Sequence, residues 1–227
     1  MLKSRYNTIE SLKIMGRASK QVLGPTIEVL LWNVFKCRRK GWQEDFITLM
    51  ANKDLILLQE AIVNSPFDWH FKQSEQHQWI MARSFSSIKT KIETGVKTGA
   101  IVASKKHFFS ASTHSEPISK TKKMSLATYY PLQSLKQTLL VVNTHIINFV
   151  AFKKFSAHLE QVFHTLKHHD GPILLAGDFN TWNSKRLKYF HMLATSYSLK
   201  EVKMVRQPRI NHLYQHLDHI YYRGLVL

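Results

Sequence analysis

Four times along this 227-residue chain, a short and very apolar run stops abruptly in polar residues of the kind that hold metal or phosphate. Leu31-Trp32 gives way to Asn33, Leu57-Leu58 to Gln59-Glu60, Val141-Val142 to Asn143-Thr144-His145, and Leu174-Leu175-Ala176 to Gly177-Asp178-Phe179-Asn180. Apolar runs of this length, bounded by turn residues, read as buried strands. A chain that ends four buried strands in this way points to a layered sheet protein. Side chains from separate strands can meet there along one sheet edge, where sites on such folds form. Asn, Asp and Gly also suit ordinary turns, so the repetition carries the reading rather than any single junction.

Helical patterns fall between the runs. Trp42, Phe46, Leu49 and Met50 have helical spacing, and residues 153–169 carry a stripe of Phe155, Leu159, Val162, Phe163 and Leu166 stopped by Gly171-Pro172. Residues 184–197 read as a further helix, and residues 78–82, 99–104, 125–131 and 217–222 as further strands. Alternation of helix and strand favours α/β or α+β over all-α or all-β. The length suits one sizeable core. Residues 1–25 are polar and basic up to Gly24-Pro25; they are expected to form a loose basic leader before a single domain over residues 26–227.

Thirty-two Lys and Arg against 15 Asp and Glu give a net charge of +17. Such a balance favours a polyanionic partner: nucleic acid first, with an anionic phospholipid surface or a phosphorylated substrate as alternatives. The charge is uneven. Between residues 84 and 154 the only acids are Glu93 and Glu116, and residues 202–217 contain none while holding Lys203, Arg206 and Arg209. The single cysteine, Cys37, allows no internal disulfide, which fits a reducing compartment. No apolar run approaches the ~20 residues of a membrane span, and no secretory signal is visible. A monomeric, cytoplasmic protein is expected.

Taken in order, Trp32-Asn33, Leu58-Gln59-Glu60, Asn143-Thr144-His145, Gly177-Asp178-Phe179-Asn180 and Leu217-Asp218-His219-Ile220 resemble the endonuclease/exonuclease/phosphatase superfamily. The resemblance runs from about residue 26 to the end. "GDFN" after a buried strand is moderately specific, and the ordered set is strongly so. Three stretches, 31–36, 142–149 and 217–225, are similar to the bacterial YafD-type branch. Abasic-site endonucleases match less well: they usually have Tyr at the position of His145, and Glu-Thr-Lys where this chain has Glu60-Ala61-Ile62.

The resemblance implies a DNase I-like α+β fold, a four-layer α/β/β/α sandwich, and Mg²⁺-dependent cleavage of phosphodiesters, with Mn²⁺ as a substitute. The substrate would be nucleic acid, or a phospholipid or sugar-phosphate headgroup. Glu60 is the candidate metal ligand, since hard divalent cations choose carboxylate oxygen. Asn33 would bind the metal beside it or orient Glu60. Asp178 would aim or deprotonate the attacking water, and Asn180 would hold phosphate or position Asp178. His145 would donate to a phosphoryl oxygen. Asn143 and Trp182 are expected to touch substrate, Trp182 from the rim.

Asp218 would orient a histidine that the family carries in a Ser-Asp-His motif further on. That motif does not occur in this chain, which stops at Leu227. The expectation is therefore a domain truncated before its last strand. Its turnover would be lower by roughly 10²–10⁴ than in an intact relative; failing that, it would be an inactive nucleic-acid-binding protein. His219 points to the opposite strand face from Asp218 and reads as packing. His164 and His168 have zinc-ligand spacing but no acidic third ligand, and read as a solvated helix face. Residues 120–123, Lys-Thr-Lys-Lys, could grip phosphate or lie in a solvated loop. Trp69, Trp79 and Phe85 read as core rather than as stacking platforms.

Overall fold

A computed structural model describes residues 5–64, 68–133, 135–203 and 217–227. Its strands are β1 (Tyr6–Met15), β2 (Val29–Asn33), β3 (Leu55–Val63), β4 (Gln78–Ser87), β5 (Glu93–Ala100), β6 (Lys106–Ala111), β7 (Met124–Leu132), β8 (Leu135–His145), β9 (Ile173–Asp178), β10 (Lys200–Glu201) and β11 (Asp218–Arg223). Helices α1 (Trp42–Met50), α2 (Asp68–Lys72), α3 (Phe152–His164) and α4 (Ser184–Ser196) connect them.

The strands form two mixed sheets, one ordered β1-β4-β5-β3-β2 and the other β10-β11-β9-β8-β7-β6. Period-two alternation assigns each apolar run to two layers at once. Leu55, Leu57, Leu139, Val141, Leu174 and Ala176 fill the space between the sheets. Their neighbours Ile56 and Leu58 face Phe46 of α1, while Leu140, Val142, Ile173 and Leu175 face Phe155 and Leu159 of α3 and Phe190 of α4. The result is the expected α/β/β/α sandwich. Runs buried on both faces read as continuous apolar sequence, which is why these strands were legible.

Two expectations are corrected. Residues 6–15 are not a loose leader: β1 pairs antiparallel with β4 from Tyr6↔Ser87 to Met15↔Trp79. The following segment bridges both sheets, Lys20 to Val102 and Leu23 to Leu132, with Leu23 fully buried. An edge strand with one wet face reads as polar sequence. The strand expected over residues 99–104 is instead Glu93–Ala100. Its sequence, Glu-Thr-Gly-Val-Lys-Thr-Gly-Ala, resembles a loop, yet it is central. A Cβ at Gly95 would fall 1.9 Å from the Ala82 carbonyl oxygen, so the glycine permits close strand approach.

Candidate active site

Two parallel strand pairs, β2–β3 and β8–β9, bring the polar strand ends to one rim of the sandwich. Asn33 lies level with Gln59, and His145 with Asp178. β11 then sets Asp218 directly opposite Asp178. The rim is closed between the sheets by Asn33, whose Nδ2 donates to Asp178 Oδ2 at 2.9 Å.

Glu60 sits in a β-bulge where the β3–β5 register shifts between Leu58 and Ala61, with φ of 49°. A bulge re-aims a side chain off its regular face, and a left-handed non-glycine backbone costs roughly 1–3 kcal/mol that the surroundings must offset. Glu60 meets two ammonium groups, Lys36 Nζ and Lys123 Nζ, each at 3.9 Å. Lys123 also lies 3.5 Å from Glu116. Lys36 belongs to a left-handed turn in which Phe35, Lys36 and Cys37 have φ of 47°, 54° and 56°. Asn33 Oδ1 anchors that turn by accepting from Phe35 N at 3.0 Å. A cavity of about 80 Å³ opens here, lined by Lys36, Glu60, Glu116, Lys123 and His145 among others.

Asp178 lies deeper. Gly177 precedes it because any Cβ there would stand 1.9 Å from the Thr144 carbonyl oxygen. Its Oδ1 accepts from Asn180 N at 3.0 Å. Burial raises its pKa, partly opposed by the hydrogen bonds from Asn33 and Asn180 and by Lys123, with Glu60 adding to the rise. His145 Nε2 stands 3.6 Å from Asp178 Oδ2. Burial, then Lys123, His158 and Lys36, hold the His145 pKa well below its ordinary value, so the imidazole is neutral and the contact is no ion pair.

Asp218 is raised to about 7 by burial and then by the charge of Asp178. Its Oδ1 is buried and has no hydrogen-bond partner among the described residues. His219 points away, as expected for packing: its ring lies between Thr181 Oγ1 and Glu201 Oε1, each at 2.8 Å, and against Phe179 and Phe190.

The structure thus gathers Asn33, Glu60, His145, Asp178 and Asp218, and it corrects three details. Asn143 cannot touch substrate. It is fully buried; its Oδ1 accepts from Gln59 at 2.7 Å, and its Nδ2 lies within 3.3 Å of Leu58 O, Lys97 O and Thr98 Oγ1. It ties the two sheets together. Asn33 orients Asp178 rather than Glu60. Asn180 holds Asp178 through its backbone N–H, while its side-chain amide donates to Ile146 O at 2.8 Å.

Trp182 is 45% exposed on the rim, with Nε1 donating to Asn148 Oδ1 at 2.9 Å. Sequence reasoning missed Lys36 and Glu116. Lys123 was visible only as part of a lysine run, in which Lys122 turns outward to Glu10. Trp79 is core, and Phe85 is buried but lines the cavity. His164 and His168 are exposed. The Trp69 side chain, Arg206 and Arg209 lie outside the described residues. Among the described residues, no three His, Cys, Asp or Glu side chains converge as a metal cage, and no helix is long and apolar enough to cross a membrane.

Comparison with known proteins places this geometry. Residues 30–227 match the model of the endonuclease/exonuclease/phosphatase family. A UPF0294 protein of Vibrio campbellii (strain ATCC BAA-1116) is 34% identical over 228 residues, covering 97% of this chain and 78% of its own length. One from Klebsiella pneumoniae (strain 342) is 32% identical over 201 residues, covering 88% and 73%. Among solved structures, the human Nocturnin catalytic domain with bound sulfate superposes with a TM-score of 0.61 at 16% identity, over 93% of this chain and 85% of that one. A family protein from Leptotrichia buccalis gives 0.64 at 15%, over 87% of each chain. The chain belongs to the endonuclease/exonuclease/phosphatase family, in its YafD-type branch.

Proposed function

We propose that this protein is a divalent-metal-dependent phosphodiester hydrolase acting on nucleic acid. One observation carries the reading: three carboxylates from different strands crowd one rim, where Glu60 raises the proton affinity of Asp178 and Asp178 raises that of Asp218. Carboxylates crowded together at one rim mark functional sites more often than structural ones.

The residues fit a hard cation. Glu60 is partly exposed at the cavity, and Asn33 Oδ1 uses one of its two lone pairs on Phe35 N. Magnesium characteristically takes only one or two carboxylates and keeps several waters, and Glu60 and Glu116 both line this cavity. Glu60 would hold the ion with Asn33 nearby. When bound, the ion supplies positive charge beside the phosphoryl oxygens.

The chain's own groups divide the remaining work. Asp178, fixed by Asn33 and Asn180 and with a raised pKa, is placed to take a proton from an attacking water at Oδ2. Neutral His145 carries an N–H that can donate to a phosphoryl oxygen. Lys36 and Lys123 add positive charge at the mouth. Nucleic acid is favoured as substrate by the +17 charge.

Asp218 Oδ1, without a hydrogen-bond partner among the described residues, favours one second reading, a nucleic-acid-binding protein without turnover. The test is hydrolysis of plasmid and single-stranded DNA with Mg²⁺, Mn²⁺ or chelator, by the natural chain and by Glu60→Gln. Metal-dependent nucleotide release that falls roughly 10²–10⁴-fold in Glu60→Gln supports the enzyme. Salt-sensitive binding without cleavage, unchanged in Glu60→Gln, supports the second reading. Release of phosphocholine or inorganic phosphate from lipid or sugar-phosphate substrates, with DNA left intact, would overturn the choice of substrate.

A further inference from the structure

A second cavity, of about 170 Å³ against about 80 Å³ at Glu60, adjoins the first and shares Lys36, Phe85 and Thr94 with it. Its floor is aromatic: the Tyr6 and Phe85 rings meet edge to face with centroids 4.8 Å apart. Ile62 and Ile92 form apolar walls, Arg38 lies at the rim, and among the described residues no carboxylate lines the space. Lys36 Nζ stands at the junction, 3.9 Å from Glu60 and 5.8 Å from the Phe85 ring centroid. The Arg38 guanidinium is exposed, with no ion pair among the described residues.

One wall of this compartment lies outside the residues that the family model matches. Tyr6 comes from β1, and the family match begins at residue 30. β1 is held in place by its ladder with β4 and by Ile88 N donating to Arg5 O at 3.1 Å. The adjacent left-handed turn at residues 35–37 fixes the approach of Lys36 and Arg38. Strain next to a pocket is retained where the resulting geometry is used.

We propose that this compartment is a substrate subsite that takes a nucleoside flanking the scissile phosphate, with its base against Tyr6 and Phe85 and its next phosphate on Arg38. The chemistry matches: a flat ring needs an aromatic and apolar surface, and a phosphate needs an unpaired guanidinium. The absence of any carboxylate removes the repulsion that a second phosphate would otherwise meet. The inference rests on the phosphodiesterase reading above, and it assigns the substrate as an oligonucleotide extending past the cleavage point rather than an isolated diester.

The test compares a thymidine hexanucleotide with methyl p-nitrophenyl phosphate, a diester too small to reach Tyr6. Their kcat/KM ratio would be measured in the natural chain and in Tyr6→Ala, Tyr6→Phe, Arg38→Ala and Arg38→Lys. Hexanucleotide binding would be followed in parallel by fluorescence anisotropy in chelator. The ratio is expected to fall about 10-fold in Tyr6→Ala and by a similar factor in Arg38→Ala, through KM. Tyr6→Phe should recover most of the loss, and Arg38→Lys part of it. Hexanucleotide affinity should drop in step.

A ratio within twofold of the natural chain in both alanine variants, or equal losses on both substrates, would overturn the subsite while leaving hydrolysis intact. Weakened hexanucleotide binding in the alanine variants of a chain that cleaves neither substrate would sustain the subsite and defeat the enzyme reading. Neither cleavage nor hexanucleotide binding by the natural chain would defeat both.

Discussion

Two pairs of polar residues lie at the same end of this sandwich, all buried but the half-buried Asp218, and they behave in opposite ways. Gln59 and Asn143 come from different sheets and are neutral. Asn143 lies within hydrogen-bonding reach of four partners across the interface, and only Gln59 Oε1 is left unpartnered. Asp178 and Asp218 come from adjacent strands of one sheet and are both acidic. They repel each other, and Asp218 Oδ1 has no partner among the described residues. The amide pair holds the sheets in register. The carboxylate pair opposes folding, which fold stability alone would not retain. Each pair leaves one oxygen unpartnered among the described residues; the charge the pair carries separates structure from chemistry.

The contrast is breakable by substitution. The largest expected effect is on turnover. Asp178→Asn should lower phosphodiester hydrolysis by roughly 10²–10⁴-fold, while its melting temperature holds or rises; a melt that falls along with activity would make Asp178 structural. Next, Asn143→Ala should lower unfolding free energy by about 2–4 kcal/mol, because several buried partners lose their hydrogen bonds at once. Urea denaturation reads this, and hydrolysis per folded molecule should stay within a few-fold.

The smallest effect sharpens the comparison through pH. With its folded pKa near 7, against an ordinary 3.8, Asp218 binds more protons folded than unfolded between those values. It therefore takes stability away as pH rises through that window. Asp218→Asn should flatten the pH dependence of the melting temperature between about 4 and 7 and raise the melt by a few degrees at pH 8. An unchanged profile would mean that Asp218 ionises normally.

Much of this is legible in the sequence. Runs such as Leu55–Leu58 and Val141-Val142 are buried on both faces, so hydropathy alone reveals them. The ordered strand-end residues exposed the family and named Asn33, Glu60, His145, Asp178 and Asp218. The sequence reading had no strand at β1, β6 or the short β10 and displaced β5; in β1 and β5 the environment differs from the composition. β1 is a half-wet edge, and β5 is a central strand that uses Gly95 for close approach and buries Lys97 completely. Lys97 Nζ donates to Ile62 O at 2.8 Å and lies 3.4 Å from the Phe71 ring centroid; burial lowers its pKa to about 7. No local pattern announces a lysine satisfied in that way.

The sequence by itself determined the strands that end at the rim and the residue types standing there, because periodicity and strand-end chemistry are local properties of the chain; the layer order followed from the family resemblance those residues carry. Tertiary structure alone decided which of those residues face the cavity. Asn143 and His145 are two residues apart on one strand, with nearly the same burial, yet one spans the sheets and the other lines the cavity. That division depends on what the opposite sheet presents to each side chain. It also depends on lysines from distant loops, Lys36 and Lys123, meeting at Glu60. Such contacts are non-local, and pairings between distant segments exist only once both sheets have closed on each other.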